Sequence, residues 1–371
     1  MKFLPLIVLF LSVSLVGCAV PVCCSKPNPK IAEIKKKSDI RITAVGDIML
    51  GTNFPDDRLA PEDGAELLNT MTPILNKADI TFGNLEGVLM EGGEAAKKCK
   101  KLMSCYVFRS PPHYAKYLKT AGFDVLSLAN NHARDFGEEG RTASMQSLND
   151  YGLRHTGRVG DFARWIVNGV TVTWVAYAPF GGSYDLLDIP LAEKQIKTLA
   201  KDSDLVLVSI HAGAEGKDVQ HVPFKNEMFY SEDRGDVVKF SHAVIDAGAD
   251  LVVGHGPHVP RALELYKNRL IAYSLGNFLT YQGIRITGEN GVAPVLNVTL
   301  APDGRFKEGQ IISARQFRPQ GTQVDKSQKA AKLIEQLTKS DFPKTPLLFL
   351  QNGVFKHNNA DANSGNELSS N

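Results

Sequence analysis

Five segments of the chain share one design, in which a short apolar run begins with Asp and ends in a residue type that binds metal ions. The five segments are Asp39–Asp47, Asp79–Glu86, Asp124–His132, Asp204–His211 and Asp250–His258. Runs this short, rich in β-branched residues and nearly unbroken in hydrophobicity, are typical of strands buried on both faces of a sheet. Ligands of open α/β sheets bind beyond the carboxyl ends of the strands. The sequence therefore predicts that carboxylates, an Asn and several imidazoles meet at one edge of a sheet.

The residues at these run ends form a predicted metal site. They are Asp47, Glu86, Asn131, His211, His255 and His258. Their mixed oxygen and nitrogen ligands suit one or two divalent transition metal ions, Mn, Fe or Zn, rather than Ca. Each residue taken singly has an ordinary alternative, because Gly-Asp at a strand end is usually a turn and Asn-Asn-His can cap a helix. The hypothesis rests on the recurrence of one design at five places.

Helical and hairpin patterns alternate with the five runs. Helices are predicted over 62–77, 112–121, 137–151, 190–200, 232–247 and 327–339. Hairpins are predicted to join 163–168 to 170–178, 262–266 to 270–274, and 295–300 to 306–316. Mixed βαβ units and hairpins favour an α/β fold, a sandwich of two mixed β-sheets flanked by helices.

The first residues have the pattern of an export signal. Lys2 precedes an apolar stretch over 3–16 that is too short for a comfortable membrane span. Leu15-Val16-Gly17-Cys18 resembles the bacterial lipobox, which is cleaved just before its Cys. We expect a signal peptide over 1–17, a lipidated tether over 18–38 that starts at Cys18, and a lipid-anchored protein of the bacterial cell envelope that faces the periplasm or the exterior. An ordinary signal peptide with a chance Cys is the alternative.

Cysteine use and charge agree with an exported globular protein. An oxidising compartment would let Cys99 and Cys105 close a loop disulfide, and neither has zinc-ribbon spacing. The net charge of +2 gives no strong nucleic-acid footprint, so no nucleic-acid partner is expected. The polar, Asn- and Ser-rich end over 356–371 is predicted to be a disordered tail.

Seven successive motifs carry a resemblance to a known family. They are Val45-Gly46-Asp47-Ile48-Met49-Leu50, Gly83-Asn84-Leu85-Glu86, Phe108-Arg109-Ser110-Pro111-Pro112, Ala129-Asn130-Asn131-His132-Ala133-Arg134-Asp135-Phe136-Gly137, His211-Ala212-Gly213-Ala214-Glu215, Gly254-His255-Gly256-Pro257-His258 and Tyr273-Ser274-Leu275-Gly276-Asn277-Phe278. In this order they resemble the signatures of the poly-γ-glutamate synthesis (CapA-type) family, which is similar in fold to calcineurin-like metallophosphoesterases. The resemblance implies a metallophosphatase-like domain over 39–320, with a C-terminal helical extension over 321–355.

The resemblance also implies roles for the metal ligands. Glu86 resembles the carboxylate that bridges the two ions of a binuclear site. Asn131 and His211 would bind one ion, and His258 could join Asp47 on the other. Metal binding would lower the pKa of a water molecule towards neutrality.

Further site residues follow from the same resemblance. His132 resembles the phosphoesterase histidine that protonates the leaving group or stabilises developing charge. Asp135 would orient His132, or would be a solvent-facing helix cap. Arg109 could hold a phosphate or carboxylate, or form a structural salt bridge. Glu215 and Asn277 are candidates for lining the substrate site, and Glu215 could equally be an ordinary loop residue.

The chain departs from the phosphoesterase pattern in two motifs. Asp47-Ile48-Met49 lacks the His of the usual Asp-x-His, and the closing segment His255-Gly256-Pro257-His258 is one residue longer than Gly-His-x-His. The missing histidine puts one metal position in doubt. A one-metal site and a two-metal site of unequal affinity both stay open.

Three functions are compatible with the sequence. The first is an envelope lipoprotein for synthesis or export of poly-γ-glutamate or a related anionic polymer, with capsule synthase subunits as partners and metal-dependent hydrolysis as its possible mechanism. The second is a metallophosphoesterase acting on a small phosphoester. The third is a non-catalytic accessory protein that binds polymer or synthase. The missing first-motif His and the anchor favour an accessory role, whereas the retained His132 opposes pure scaffolding.

Overall fold

The computed structural model describes residues 36–97 and 106–358. All of them belong to one unit, Lys35–Asn371. The predicted signal peptide, the lipid attachment site Cys18, the disulfide pair Cys99 and Cys105, and residues 359–371 lie outside the described residues, so the expectations for them stay predictions. The predicted disordered tail over 356–371 begins too early, because Lys356 and His357 belong to the strand Val354–His357.

The chain alternates strands with helices. The strands are β1 (Ile40–Met49), β2 (Gly51–Thr52), β3 (Arg58–Leu59), β4 (Ile80–Leu85), β5 (Val88–Leu89), β6 (Arg109–Ser110), β7 (Val125–Ser127), β8 (Arg154–Thr156), β9 (Ala163–Val167), β10 (Val170–Ala178), β11 (Tyr184–Asp185), β12 (Leu205–His211), β13 (Glu227–Phe229), β14 (Glu232–Gly235), β15 (Leu251–His255), β16 (Leu263–Tyr266), β17 (Arg269–Ala272), β18 (Asn277–Thr280), β19 (Val292–Leu300), β20 (Phe306–Phe317), β21 (Gly321–Val324), β22 (Leu347–Phe349) and β23 (Val354–His357). The helices are α1 (Thr72–Leu75), α2 (Tyr114–Ala121), α3 (Gly137–Asp150), α4 (Ile189–Leu199), α5 (Val237–Asp246) and α6 (Lys329–Asp341). All five predicted runs contain a strand.

Two mixed sheets contain most of these strands. The first has the order β22-β23-β20-β19-β1-β4-β7-β8, with β18 paired to β1 and β21 to β20. The second has the order β11-β10-β12-β15-β17-β16, with β9 paired to β10. In each sheet the runs that begin with Asp lie in a parallel block, β1-β4-β7 in one and β12-β15 in the other. The predicted sandwich of two mixed sheets is confirmed.

A core between the sheets and helices on their outer faces explain why the strands are apolar on both faces. Leu205 and Leu207 of β12 belong to the inter-sheet core, where Phe82 stacks on Trp174 with ring centroids 4.1 Å apart. Val206 and Val208 point the other way and pack with residues of α4 and α5. The outer face of the first sheet packs on α2 and α3 in the same manner.

The Asp residues that begin four of the runs fix the start of each strand against its neighbour. We call Asp79, Asp124, Asp204 and Asp250 the leading Asp residues. Each accepts a hydrogen bond through Oδ2 from a backbone N–H of the adjacent strand, at 2.8 Å from Arg41, 2.9 Å from Thr81, 2.9 Å from Thr171 and 2.9 Å from Val206. The backbone N–H of each leading Asp returns a hydrogen bond to the carbonyl of the same residue. The Asp that recurs at the start of these runs therefore makes the same pair of hydrogen bonds to the neighbouring strand each time.

Three predicted elements differ from the structure. The predicted helix over 62–77 is mostly turns, and α1 is its only α-helical part. Glu62 and Asp63 have φ of 51° and 55°, outside the helical region. The predicted helix over 232–247 begins only at Val237, after Asp236, whose side chain accepts a hydrogen bond from Lys239 N; residues 232–235 instead pair with β13.

The predicted C-terminal helical extension over 321–355 is wrong in part. It contains α6, but β21 and β23 also pair with β20, and β22 pairs with β23. These strands extend the first sheet, so the segment is continuous with the domain. Within residues 36–97 and 106–358, no helix is long and apolar enough to cross a membrane.

Replacing a leading Asp should destabilise the fold. Asp124→Ala leaves Thr81 N–H without its side-chain acceptor, and an unsatisfied buried donor costs about 1–3 kcal/mol. We expect the free energy of unfolding, measured by urea denaturation, to fall by about that amount. Asp202→Ala is the matched control, because Asp202 is mostly exposed and pairs with Arg164 only at 3.8 Å. Equal stability of the two variants would contradict the proposed role of the leading Asp residues.

Candidate metal centre

The carboxyl ends of the parallel strands bring the predicted ligands together. Asp47 lies near the end of β1, opposite Asn84 of β4 in the strand register. His211 and His255, at the ends of β12 and β15, lie opposite each other in the second sheet. Glu86 directly follows β4. The predicted side chains therefore meet, but they come from the carboxyl ends of strands in two sheets rather than from one edge of a single sheet. Their binding of metal stays a prediction.

Asp47, Glu86 and His258 form the closest cluster. One ligand atom from each lies within 4.8 Å of the other two. His258 Nδ1 lies 3.1 Å from Asp47 Oδ2, and His258 Nε2 lies 3.6 Å from Glu86 Oε1. Both carboxylates are buried. The imidazole thus lies between two buried acids, in a group of side chains able to hold a divalent cation.

Burial and mutual charge shift the pKa values of this cluster. Burial raises the pKa of Glu86 well above its ordinary value, and the charges of His258 and Arg234 offset only part of this. Burial also acts to raise the pKa of Asp47, but the hydrogen bond and charge of His258 outweigh it and lower that pKa. For His258 burial acts downward, yet the charges of Glu86 and Asp47 raise its pKa to about 10. The two buried acids therefore favour a positive charge between them.

Several atoms of the predicted ligand residues have no hydrogen-bond partner within the described parts of the chain. They are both carboxylate oxygens of Glu86, Asn131 Oδ1, His211 Nε2 and His255 Nδ1. Each of these atoms is buried, and a buried polar atom without a partner costs about 1–3 kcal/mol. A mixed set of unpartnered carboxylate, amide and imidazole atoms fits a divalent transition metal ion. The residues present therefore fit the predicted cofactor.

Two of the predicted ligand histidines, His211 and His255, are in states suited to metal binding. Burial lowers the pKa of His211 well below its ordinary value and also lowers that of His255, so both rings are neutral, as a metal ligand must be. His255 Nε2 donates to the carbonyl of Val45 at 3.0 Å. Metal-binding histidines usually make such a bond with their second nitrogen, and it leaves His255 Nδ1 free for an ion.

Two buried asparagines that the sequence analysis did not single out hold the ligands in place. Asn84 Nδ2 donates to Asp47 Oδ1 at 2.9 Å and lies 3.3 Å from His211 Nδ1. Asn130 Nδ2 donates to Asn84 Oδ1 at 3.1 Å, and Asn130 Oδ1 accepts from His132 N at 3.0 Å. Both asparagines stand in the quoted motifs, and this adjacency to Glu86 and Asn131 was the signal available for them.

His132 and Asp135 form a buried pair beside the cluster. His132 Nδ1 lies 2.7 Å from Asp135 Oδ2, which also accepts the backbone N–H of Phe108 at 2.8 Å. His132 Nε2 lies 4.0 Å from Glu86 Oε1. Asp135 is buried, so the alternative of a solvent-facing helix cap is wrong. Asp135 is positioned to orient His132 with its Nε2 towards the ligands, as predicted.

Glu215 and Asn277 both contact His258. Glu215 Oε2 lies 3.8 Å from His258 Nε2. Asn277 Oδ1 lies 2.9 Å from His258 Nδ1, and Asn277 Nδ2 donates to the carbonyl of His258 at 3.3 Å. Asn277 is buried, and its amide holds His258 in position. Direct contact of either residue with a substrate stays a prediction.

Arg109 contacts neutral groups, which are an amide, backbone carbonyls and aromatic rings. Its Nε donates to Asn53 Oδ1 at 2.7 Å and its Nη1 to the carbonyl of Gly92 at 2.6 Å. The guanidinium also lies 5.4 Å and 5.3 Å from the ring centroids of Phe54 and Phe136. These contacts tie loops together, and the binding of an anion by Arg109 stays a prediction.

Arg234 is a further charged residue at the site that sequence reasoning missed. Its guanidinium donates to Glu215 Oε1 at 2.9 Å, and its charge acts on both Glu86 and His211. It reaches the site because β14 pairs with β13 in a hairpin. The sequence analysis placed Arg234 inside a helix, so no signal for this contact was available.

Comparison with known proteins finds similar sequences. Residues 41–282 match the sequence profile of the family described as "Bacterial capsule synthesis protein PGA_cap". The chain is 31% identical over 278 residues to the capsule biosynthesis protein CapA of Bacillus anthracis, covering 68% of this chain and 63% of that protein. It is 28% identical over 330 residues to the PGA biosynthesis protein CapA of Bacillus subtilis (strain 168), covering 83% of this chain and 80% of that protein. The match thus spans less than two thirds of the Bacillus anthracis relative.

A 5′-nucleotidase precursor from Thermus thermophilus is among the similar solved structures. Its TM-score is 0.40 at 12% identity, and the alignment covers 77% of this chain and 54% of that chain.

Removal of single ligands should remove bound metal. In Asn131→Ala and His211→Ala a ligand atom is lost from a site that is otherwise intact, so we expect the metal content after dialysis, measured by elemental analysis, to fall well below that of the unaltered protein. His113→Ala is the control, because His113 is about half exposed and pairs with Asp63. Undiminished metal in protein that carries both ligand substitutions would refute the assignment.

Proposed function

The chain belongs to the bacterial capsule synthesis protein (PGA_cap) family, and from this premise we propose that it acts in the synthesis or export of an anionic envelope polymer. Poly-γ-glutamate is the proposed polymer, because two relatives are named for capsule or PGA biosynthesis. The proposed cofactor is one or two Mn, Fe or Zn ions, the proposed partners are capsule synthase subunits, and the proposed reaction is metal-dependent hydrolysis.

The observation that carries the proposal is the environment of Glu86. Its carboxylate is buried within 4.8 Å of ligand atoms of Asp47 and His258, and neither oxygen has a hydrogen-bond partner in the described residues. Asn131 Oδ1 and His211 Nε2 are also buried without a hydrogen-bond partner there. His132 Nε2 lies 4.0 Å from Glu86 Oε1, and Asp135 Oδ2 lies 2.7 Å from His132 Nδ1. A ligand set that faces a buried His–Asp pair supports hydrolysis over a purely structural metal site.

The residues around Glu86 supply the parts of a hydrolytic reaction. A divalent ion bound at Glu86 would lower the pKa of water towards neutrality. His132 holds its Nδ1 proton against Asp135, so its Nε2 is the atom that exchanges a proton with a reacting group. Burial lowers the pKa of His132, and the charge of Asp135 and its hydrogen bond to His132 oppose that effect. Asp135 therefore orients the ring and supports its protonated form.

The enclosed geometry of the site favours a second candidate, hydrolysis of a small phosphoester. Asp47 and Glu86 are fully buried, and His132 is only 5% exposed. A long polymer strand needs an open groove beside the reacting atoms, whereas a single phosphate group fits a closed pocket. Under this alternative the chain would be an envelope metallophosphoesterase. If the purified protein binds no metal, the third possibility, a non-catalytic accessory protein, is supported instead.

His132→Ala tests the catalytic proposal. We expect unchanged metal content, because His132 is not a proposed ligand, and a loss of about 10²- to 10⁴-fold in Mn-dependent hydrolysis. Two substrates are tested. Hydrolysis of a nitrophenyl phosphodiester is measured by the release of nitrophenol, and cleavage of poly-γ-glutamate is measured by the decrease in its chain length. Which substrate is cleaved separates the two candidates.

His155→Ala is the matched control for this experiment. His155 also pairs with an aspartate, with Nδ1 2.8 Å from Asp161 Oδ2, but it lies in β8. We expect it to keep full activity. Full activity in metal-loaded His132→Ala would refute the catalytic role of His132. An unaltered protein that binds no metal would refute the predicted metal site.

The proposed envelope location depends on Cys18. We expect mass spectrometry of membrane-purified protein to find a lipid-modified Cys18 at the mature N-terminus, and Cys18→Ser to move the protein out of the membrane fraction. An unmodified N-terminus elsewhere would rule out the lipid anchor and favour an ordinary signal peptide.

A further inference from the structure

Arg234 is a buried arginine with one guanidinium nitrogen left over. The residue is 2% exposed. Its Nη2 donates to Glu215 Oε1 at 2.9 Å and to Glu232 Oε2 at 2.7 Å, and its Nε donates to Glu232 Oε2 at 3.0 Å. Nη1 is buried and has no partner among residues 36–97 and 106–358. Two N–H groups of a charged side chain therefore lack an acceptor.

The guanidinium lies beside the candidate metal centre. Its carbon is 4.9 Å from the ring centroid of Phe180, and Phe180 packs on His211 with ring centroids 5.8 Å apart. On the other side, Glu215 links it to His258, with Glu215 Oε2 3.8 Å from His258 Nε2. Arg234 is thus one side chain away from two of the proposed ligands.

The hairpin that carries Arg234 is firmly attached at its base. Glu227 forms a buried two-bond pair with Arg261, with both N···O distances 2.8 Å, and also accepts the backbone N–H of Ala214 at 3.0 Å. The carbonyl of Arg234 accepts from Gly213 N at 3.0 Å. These bonds fix the hairpin to the loop that follows His211. The position of the guanidinium is therefore set before any ligand arrives.

A preorganised guanidinium with a free nitrogen is suited to an oxyanion. The planar fork of Arg matches the oxygens of phosphate and carboxylate groups. Glu215 and Glu232 hold the side chain in place and offset its charge, which makes burial of the arginine tolerable. They use Nη2 and Nε and leave Nη1 free. An oxygen of a bound oxyanion would supply the acceptor that Nη1 lacks among the described residues.

We propose that Arg234 Nη1 binds an oxygen of the substrate's anionic group, a phosphate or a carboxylate, next to the metal centre. This inference rests on the proposed function and deepens it, because it names the anionic group as the part of the substrate that the site recognises. Arg234 is here a binding residue that is separate from the ligands and from His132.

The test measures anion binding directly. The Mn-loaded full chain is titrated with inorganic phosphate and, separately, with γ-glutamylglutamate, by calorimetry. In Arg234→Lys the charge stays but the fork is lost, and in Arg234→Gln both are lost. We expect both variants to keep their metal and to bind the recognised probe at least about tenfold more weakly. Binding of phosphate alone identifies a phosphoester group, and binding of the dipeptide alone identifies a carboxylate.

A matched control and a second variant keep the test decisive. Arg305→Gln is expected to bind the probe like the unaltered protein, since Arg305 pairs with Asp303 at the surface. If Arg234→Gln does not fold, as judged by circular dichroism, the affinity of Arg234→Lys for the probe decides whether Arg234 binds the anion.

The inference and the proposed function can fail separately. Unchanged affinity for both probes in the Arg234 variants, or no binding of either probe to metal-loaded unaltered protein, would overturn the inference and leave the metal centre intact. An unaltered protein that takes up no metal would overturn the proposed function and the inference with it.

Discussion

The hydrogen bond from each strand start to a leading Asp is the constraint on which the site depends. Asp79, Asp124, Asp204 and Asp250 each accept a backbone N–H of the neighbouring strand. Parallel strands rise by a common distance of about 3.3 Å per residue, so strands aligned at their starts are also aligned at their ends. A slip of one residue would turn every side chain to the opposite face. The repeated Asp therefore determines which side chains meet at the other end of the sheet.

The alignment includes one local adjustment. The run that ends at Asp47 shifts its register against β4 between Ala44 and Asp47. Gly46 lies in this irregularity, where a Cβ would come within 2.1 Å of the carbonyl oxygen of Gly276. Only glycine permits this close approach. The irregularity sets Asp47 opposite Asn84, whose amide donates to it.

The sequence predicted the elements whose signal is local. The apolar runs, the three hairpins and the histidines and carboxylates at the run ends could all be recognised from neighbouring residues. The turn at Glu62 and Asp63 and the strand at Glu232–Gly235 could not, because each adjoins a helical pattern and only the backbone angles or the pairing partner separate it from that helix. Arg234 was missed for a related reason, because its role depends on a contact between distant segments and a lone arginine carries no ligand pattern in sequence. Asn84 and Asn130 stand in the quoted motifs, but only the structure shows which side chains their amides contact.

Glu86 and its neighbours are proposed to hold a divalent metal ion, and anomalous diffraction from crystals of the protein grown with Mn²⁺ can detect that ion. We expect a manganese peak in contact with Glu86, with Asn131 and His211 among its other ligands. A second peak near Asp47 and His258 would decide between one and two ions. The absence of a manganese peak at Glu86, in crystals grown at saturating Mn²⁺, would show that these residues do not form a metal site.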